Sequence, residues 1–264
     1  MPSPTALRHF TVERLDVYIY PDRAAIGQAA ADFVSDGLRQ AIEARGEANA
    51  IFATGASQYE FLAALRGASD VDWPQVTAFH LDEYLGLGRD HPASFRRFLE
   101  ERLFGQLPFK AVHLLDGDAP DPQAEADRYA TLLHNQVIDV ACIGIGENGH
   151  LAFNDPPANF ETPHLVHVVD LDDVCRGQQV GEGHFATLAD VPRQALSLSV
   201  PAILRARTLS CVVPDARKAS PVQCALEGPI QPACPASALR RHANGRVFLD
   251  PASASRLSPQ TVGD

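Results

Sequence analysis

His150 and Asp155 lie five residues apart in the stretch Gly144-Ile145-Gly146-Glu147-Asn148-Gly149-His150-Leu151-Ala152-Phe153-Asn154-Asp155-Pro156-Pro157. An imidazole exchanges a proton near neutral pH, and a nearby carboxylate can orient it as a proton shuttle. The three glycines permit tight turns and close approach of the main chain to a ligand. Five residues in a Gly/Pro-containing loop fix no helical spacing, so contact between the two groups is an expectation. The plainer reading of His150 is a loop histidine bonded to backbone.

Three other clusters could meet this loop. In His80-Leu81-Asp82-Glu83-Tyr84-Leu85-Gly86-Leu87, adjacent carboxylates on extended backbone point to different sides. Asp82 and Glu83 should therefore divide their work, one entering a site and the other making a structural contact. Thr54-Gly55-Ala56-Ser57 offers amides and hydroxyls suited to a phosphate at a helix N-terminus. Its plainer reading is a turn with Ser57 as helix cap. Lys218, after Val213-Pro214-Asp215-Ala216-Arg217, is a candidate phosphate cation, although most lysines near a helix start face solvent.

The elements that must position these groups alternate. Apolar runs predict strands at 15–19, 50–53, 76–80, 112–114, 137–143, 165–169, 195–199, 209–213 and 247–249. Between them, helices are expected over 24–45, 57–65, 94–103, 123–135, 201–205 and 216–226. This pattern predicts an α/β fold: a single-domain, open, mainly parallel sheet with helices on both faces, Rossmann-like and three-layered. One domain should span 1–264, with a loose tail over 251–264. Ligands of such sheets bind beyond the carboxyl ends of the strands, where the 54–57, 80–87 and 144–157 clusters fall.

Gly144-x-Gly146-x-x-Gly149 also matches the dinucleotide-binding fingerprint, which needs a helix to begin at its last glycine. Phe153-Asn154-Asp155-Pro156-Pro157 opposes one, and a nicotinamide or flavin site is rejected. The net charge of −11 argues against a general nucleic-acid partner. Five cysteines without paired metal spacing suggest reduced thiols in a cytoplasmic protein. No apolar run reaches membrane-spanning length, so no membrane partner is expected. His164-x-x-His167 has no convincing third ligand, and no metal site is assigned.

Taken together, the clusters resemble the glucosamine-6-phosphate deaminase/isomerase family, within the superfamily that includes the 6-phosphogluconolactonases. The resemblance rests on Thr54–Ser57, Phe79–Tyr84, the whole of Gly144–Pro156, Arg217-Lys218-Ala219, Ala225-Leu226-Glu227-Gly228 and Cys234-Pro235-Ala236-Ser237. Tyr84 and the Phe153-Asn154 continuation favour the deaminase branch. The resemblance implies isomerisation and deamination of a small phosphorylated amino sugar, without a cofactor and compatible with a homo-oligomer.

By that resemblance Asp82 is the carbon base, His150 opens the sugar ring, and Asp155 orients His150. Thr54, Gly55, Ala56, Ser57 and Lys218 would hold the phosphate, and Gly149 would keep the wall close to the sugar. Asn148 stands where many members have Asp, and Asp155 where Glu is usual. Cys175–His184 lacks the family's arginine, so that either Arg176 takes over the phosphate contact or the substrate differs. The alternatives are a sugar-lactone hydrolase and a non-catalytic sugar-phosphate sensor.

Overall fold

The structure, a computed structural model, describes residues 3–181, 183 and 185–263. Its strands are β1 (Arg8–Val12), β2 (Leu15–Ile19), β3 (Ala48–Phe52), β4 (Val76–His80), β5 (Asp82–Tyr84) and β6 (Ala111–His113). They continue as β7 (Val140–Ile143), β8 (Val166–Asp170), β9 (Gln194–Leu198), β10 (Thr208–Val213) and β11 (Gly245–Leu249). The helices are α1 (Arg23–Arg45), α2 (Tyr59–Arg66), α3 (Phe95–Leu99), α4 (Pro122–His134), α5 (Asp173–Gly181), α6 (Val200–Leu204), α7 (Ala219–Glu227) and α8 (Pro259–Val262).

The main sheet runs β1-β2-β11-β10-β7-β3-β4-β6, and every neighbouring pair except β1/β2 is parallel. The predicted fold class is therefore observed. Alternation along β3 decides which face each side chain serves. Ile51 packs into the core beneath α4 and α7, while Ala50 and Phe52 pack beneath α1 and α2. Both faces are covered, which explains why β3, β4 and β7 are buried throughout. Helix α1 begins where the Asp22 carboxylate accepts from the amide of Ala25, and ends at Gly46 with φ 77°.

Several expectations needed correction. Residues 82–84 are a strand, not a loop, in a second sheet β5-β9-β8 that is antiparallel. The partner of β5, β9, lies more than a hundred residues away in sequence, so local pattern gave no sign of the pairing. The buried strand read over 137–143 starts only at Val140. The segment after Asp250 is packed, not loose: Ser253 is fully buried and its amide donates to Asp250 at 2.7 Å. The amide of Ser258 donates to Glu227 at 2.6 Å, and Leu257 packs on the core. No helix among the described residues is long and apolar enough to cross a membrane, and all five cysteines are free.

Candidate active site

From β3 the chain moves outward to β4 and β6, whereas from β7 it moves the other way to β10 and β11. Loops leaving the carboxyl ends of β3 and β7 thus diverge, opening a cleft at the switch point. Thr54, Gly55, Ala56 and Ser57 line that cleft from β3, and Gly144, Ile145, Gly146 and His150 from β7. Asp82 enters after β4, and Lys218 after β10. The fold therefore brings all four sequence clusters to one place. No helix follows the glycines of 144–149 before β8, which removes the dinucleotide geometry.

His150 and Asp155 are in contact, Nδ1 lying 3.1 Å from Oδ1. The Asn148 side-chain amide donates to the same carboxylate oxygen at 2.9 Å, and its own oxygen accepts from the His150 amide at 3.0 Å. Asn148 therefore spans the pair and fixes both members, from behind the cleft. Burial would raise the Asp155 carboxyl, but the bonds from His150 and Asn148 prevail and hold it below the usual range. An ionised Asp155 orients the imidazole and leaves its other nitrogen for the cleft. The chain passes Ala152 at φ 53°, closing the loop through a Leu151/Asn154 bridge.

Asp82 is 6% exposed, and its Oδ1 is buried without a hydrogen-bond partner among the described residues. Burial, and then the charge of Glu83, push its carboxyl well above the ordinary range. Glu83 is fully buried but accepts from the Ser94 hydroxyl, the amides of Tyr84, Phe95 and Arg96, and the Arg96 guanidinium. It holds the start of α3 in place. The expected division of work between the two acids is what the geometry contains.

Around the 54–57 turn, Gln58 donates to Ser57 Oγ at 3.1 Å and to the Ile143 carbonyl at 3.4 Å, tying the turn to β7. Lys218 is buried at the start of α7. Arg23, absent from the sequence reading, also lines the cleft. Its guanidinium donates to the Ala56 carbonyl and pairs with Glu60 at 2.9 Å. The available signal was its place just past the carboxyl end of β2. Gln179 from α5 and Phe95 and Phe153 line other parts of the wall, with the two phenyl rings stacked at 5.6 Å.

Two assignments are corrected. Arg176 is buried, and its guanidinium is held by Asp173 and by the carbonyls of Leu188 and Val191. Those contacts fasten α5 to the 188–191 turn, away from the cleft lining. Gly149 does not line the cleft either; its φ of 88° serves the turn. The close-approach glycine is Gly146, where a Cβ would meet the His150 ring at 2.2 Å.

A model of the family described as glucosamine-6-phosphate isomerases/6-phosphogluconolactonase matches residues 21–249. A glucosamine-6-phosphate deaminase of Exiguobacterium sp. is 42% identical over 188 residues, covering 71% of this chain and 72% of that protein. One from Lacticaseibacillus paracasei is 32% identical over 249 residues, covering 92% and 99%. A solved monomeric glucosamine-6-phosphate deaminase has a TM-score of 0.83 at 29% identity, covering 90% of this chain and 98% of that one. A 6-phosphogluconolactonase from Shewanella baltica reaches 0.74 at 22% identity, covering 91% and 100%, a likeness of fold alone.

Proposed function

Because the chain belongs to the glucosamine-6-phosphate isomerase/6-phosphogluconolactonase family, we propose that it is an enzyme converting glucosamine-6-phosphate to fructose-6-phosphate and ammonia. The observation that carries this reading is the convergence of the His150–Asp155 pair and the buried Asp82 on one cleft that also holds Lys218. A sugar phosphate needs a cation and donors at one end, and an aldose–ketose isomerisation needs a carbon base at the other. Five free thiols support a cytoplasmic setting.

In this reading the phosphate sits against Thr54–Ser57, with Lys218 and Arg23 supplying positive charge. His150, oriented by Asp155 and Asn148, moves a proton at the ring oxygen so that the pyranose opens. Asp82 takes the proton from C2 and returns it to C1, leaving an imine at C2. Water adds to that carbon, and the nitrogen departs as ammonia. A desolvated carboxylate is a stronger base than one in water, and positioned acid–base catalysis contributes roughly 10²–10⁴-fold. No electron changes hands in these steps.

A parallel assay separates this reaction from lactone hydrolysis. The purified protein should release ammonia from glucosamine-6-phosphate faster than it opens 6-phosphogluconolactone above the spontaneous rate. Lactone opening without ammonia release would transfer the chain to the hydrolytic branch. Saturable binding of both compounds without turnover would make it a sensor.

A further inference from the structure

We propose that His150, Asp155 and Cys175 form a site for a thiophilic divalent cation such as Zn²⁺ or Cd²⁺, and that its occupation disables the His150–Asp155 pair. One nitrogen of His150, one carboxylate oxygen of Asp155 and Sγ of Cys175 lie within 4.8 Å of one another. Nitrogen, oxygen and sulfur are the three donor types that zinc selects, and three protein ligands leave a fourth position for water or a ligand oxygen. Tetrahedral bonds of about 2.0–2.3 Å set donors about 3.3–3.8 Å apart. Nδ1 of His150 and Oδ1 of Asp155 are already 3.1 Å apart, so the main adjustment is an approach of the sulfur, from within 4.8 Å, by at most about 1 Å.

The surroundings favour a cation independently of this spacing. Besides Asp155, the Asp172 carboxylate lies beside Cys175 and accepts from its amide. Cys175 itself is 1% exposed, and its amide is fixed by the Asp172 carboxylate at 2.6 Å, at the start of α5. Binding replaces the S–H bond by a sulfur–metal bond and releases that proton to solvent, so affinity rises with pH. The metal also takes the donor pair that makes the His150–Asp155 contact, which is why occupation inactivates the site.

Sequence spacing could not reveal this set, because Cys175 lies twenty residues beyond Asp155 on a helix that pattern did not foresee. The inference does not rest on the proposed reaction, since its primary readout is spectroscopic. Cys224 and Cys234 contact each other and offer a rival thiol pair, so the test starts from a Cys224→Ser/Cys234→Ser protein.

Reduced, metal-stripped protein is titrated with Cd²⁺ while thiolate-to-cadmium charge-transfer absorption is recorded in the ultraviolet. A band saturating at one equivalent is expected. Cys175→Ser should abolish it, and Asp155→Asn, which keeps the sulfur, should weaken Cd²⁺ binding at least tenfold. Zn²⁺ should displace Cd²⁺ and quench the band. No band up to millimolar Cd²⁺ would overturn the proposal, as would a band undiminished in the Cys175→Ser protein. Should that variant fail to fold, unchanged affinity in Asp155→Asn would overturn it equally.

Discussion

The Glu83 carboxylate accepts from the Ser94 hydroxyl and from the amides of Tyr84, Phe95 and Arg96, whereas Oδ1 of Asp82, one residue earlier in β5, has no hydrogen-bond partner. Alternation along the strand sends one acid toward the α3 start and the other into the cleft. The same burial therefore leaves the Glu83 carboxylate satisfied and Oδ1 of Asp82 unsatisfied.

Asp82 must be ionised to act as a base, yet burial and the Glu83 charge raise its carboxyl well above the ordinary range. The acid limb of kcat/KM should accordingly lie above the ~3.9 of an unperturbed aspartate. Asp82→Asn should lower kcat by roughly 10²–10⁴-fold. A folded-state value above the unfolded one means that Asp82 supports stability below the unfolded value and loses that support as pH rises through the folded one. Near neutral pH, urea midpoints should thus show Asp82→Asn at least as stable as the parent. A limb at the ordinary carboxylate value, or substantial turnover by Asp82→Asn, would remove Asp82 from the base role.

Glu83 pairs with Arg96 at 3.2 Å, both nearly excluded from solvent. Removing one partner of a buried pair costs about 3–5 kcal/mol. Glu83→Ala should lose about that much in urea unfolding. A loss below about 1 kcal/mol, the range of an exposed pair, would contradict the anchoring role.

Much of this architecture is legible in the sequence, for physical reasons. The strands of the main sheet are apolar runs because both faces are covered, and their carboxyl ends located Thr54–Ser57, Asp82, His150 and Lys218. The second sheet was hidden, because a three-residue strand Asp82-Glu83-Tyr84 carries no periodicity and its partner β9 is remote. Helix α5 was hidden by Gly177 and Gly181, and with it the contribution of Gln179. Arg176 was misassigned because sequence places an arginine on a segment without saying which carbonyls it will find. Arg23 was missed because a helix-starting arginine looks like any solvated charge.

Arg23 and Lys218 line the cleft beside the 54–57 turn. Arg23→Ala should raise KM for a sugar phosphate about tenfold, which is about 1.4 kcal/mol, with kcat little changed, and inorganic phosphate should inhibit more weakly. Lys218→Ala should do the same to a greater extent. An unaltered KM and phosphate inhibition in both variants would locate the phosphate elsewhere.

Asn148 donates to Asp155 and accepts from the His150 amide. Asn148→Asp removes one of the bonds that hold the Asp155 carboxyl down and adds a like charge beside it. Asp155 should rise, and activity should fall first on the acid side. A pH profile superimposable on the parent's would show that Asn148 does not tune the pair.

The most direct measurement is the stoichiometry of ammonia and fructose-6-phosphate released from glucosamine-6-phosphate by the parent, His150→Ala and Asp82→Asn proteins. The account predicts equal amounts of both products from the parent and a loss of both in each variant, with circular dichroism unchanged. A folded parent that releases neither product, or variants that release both at the parental rate, would contradict it.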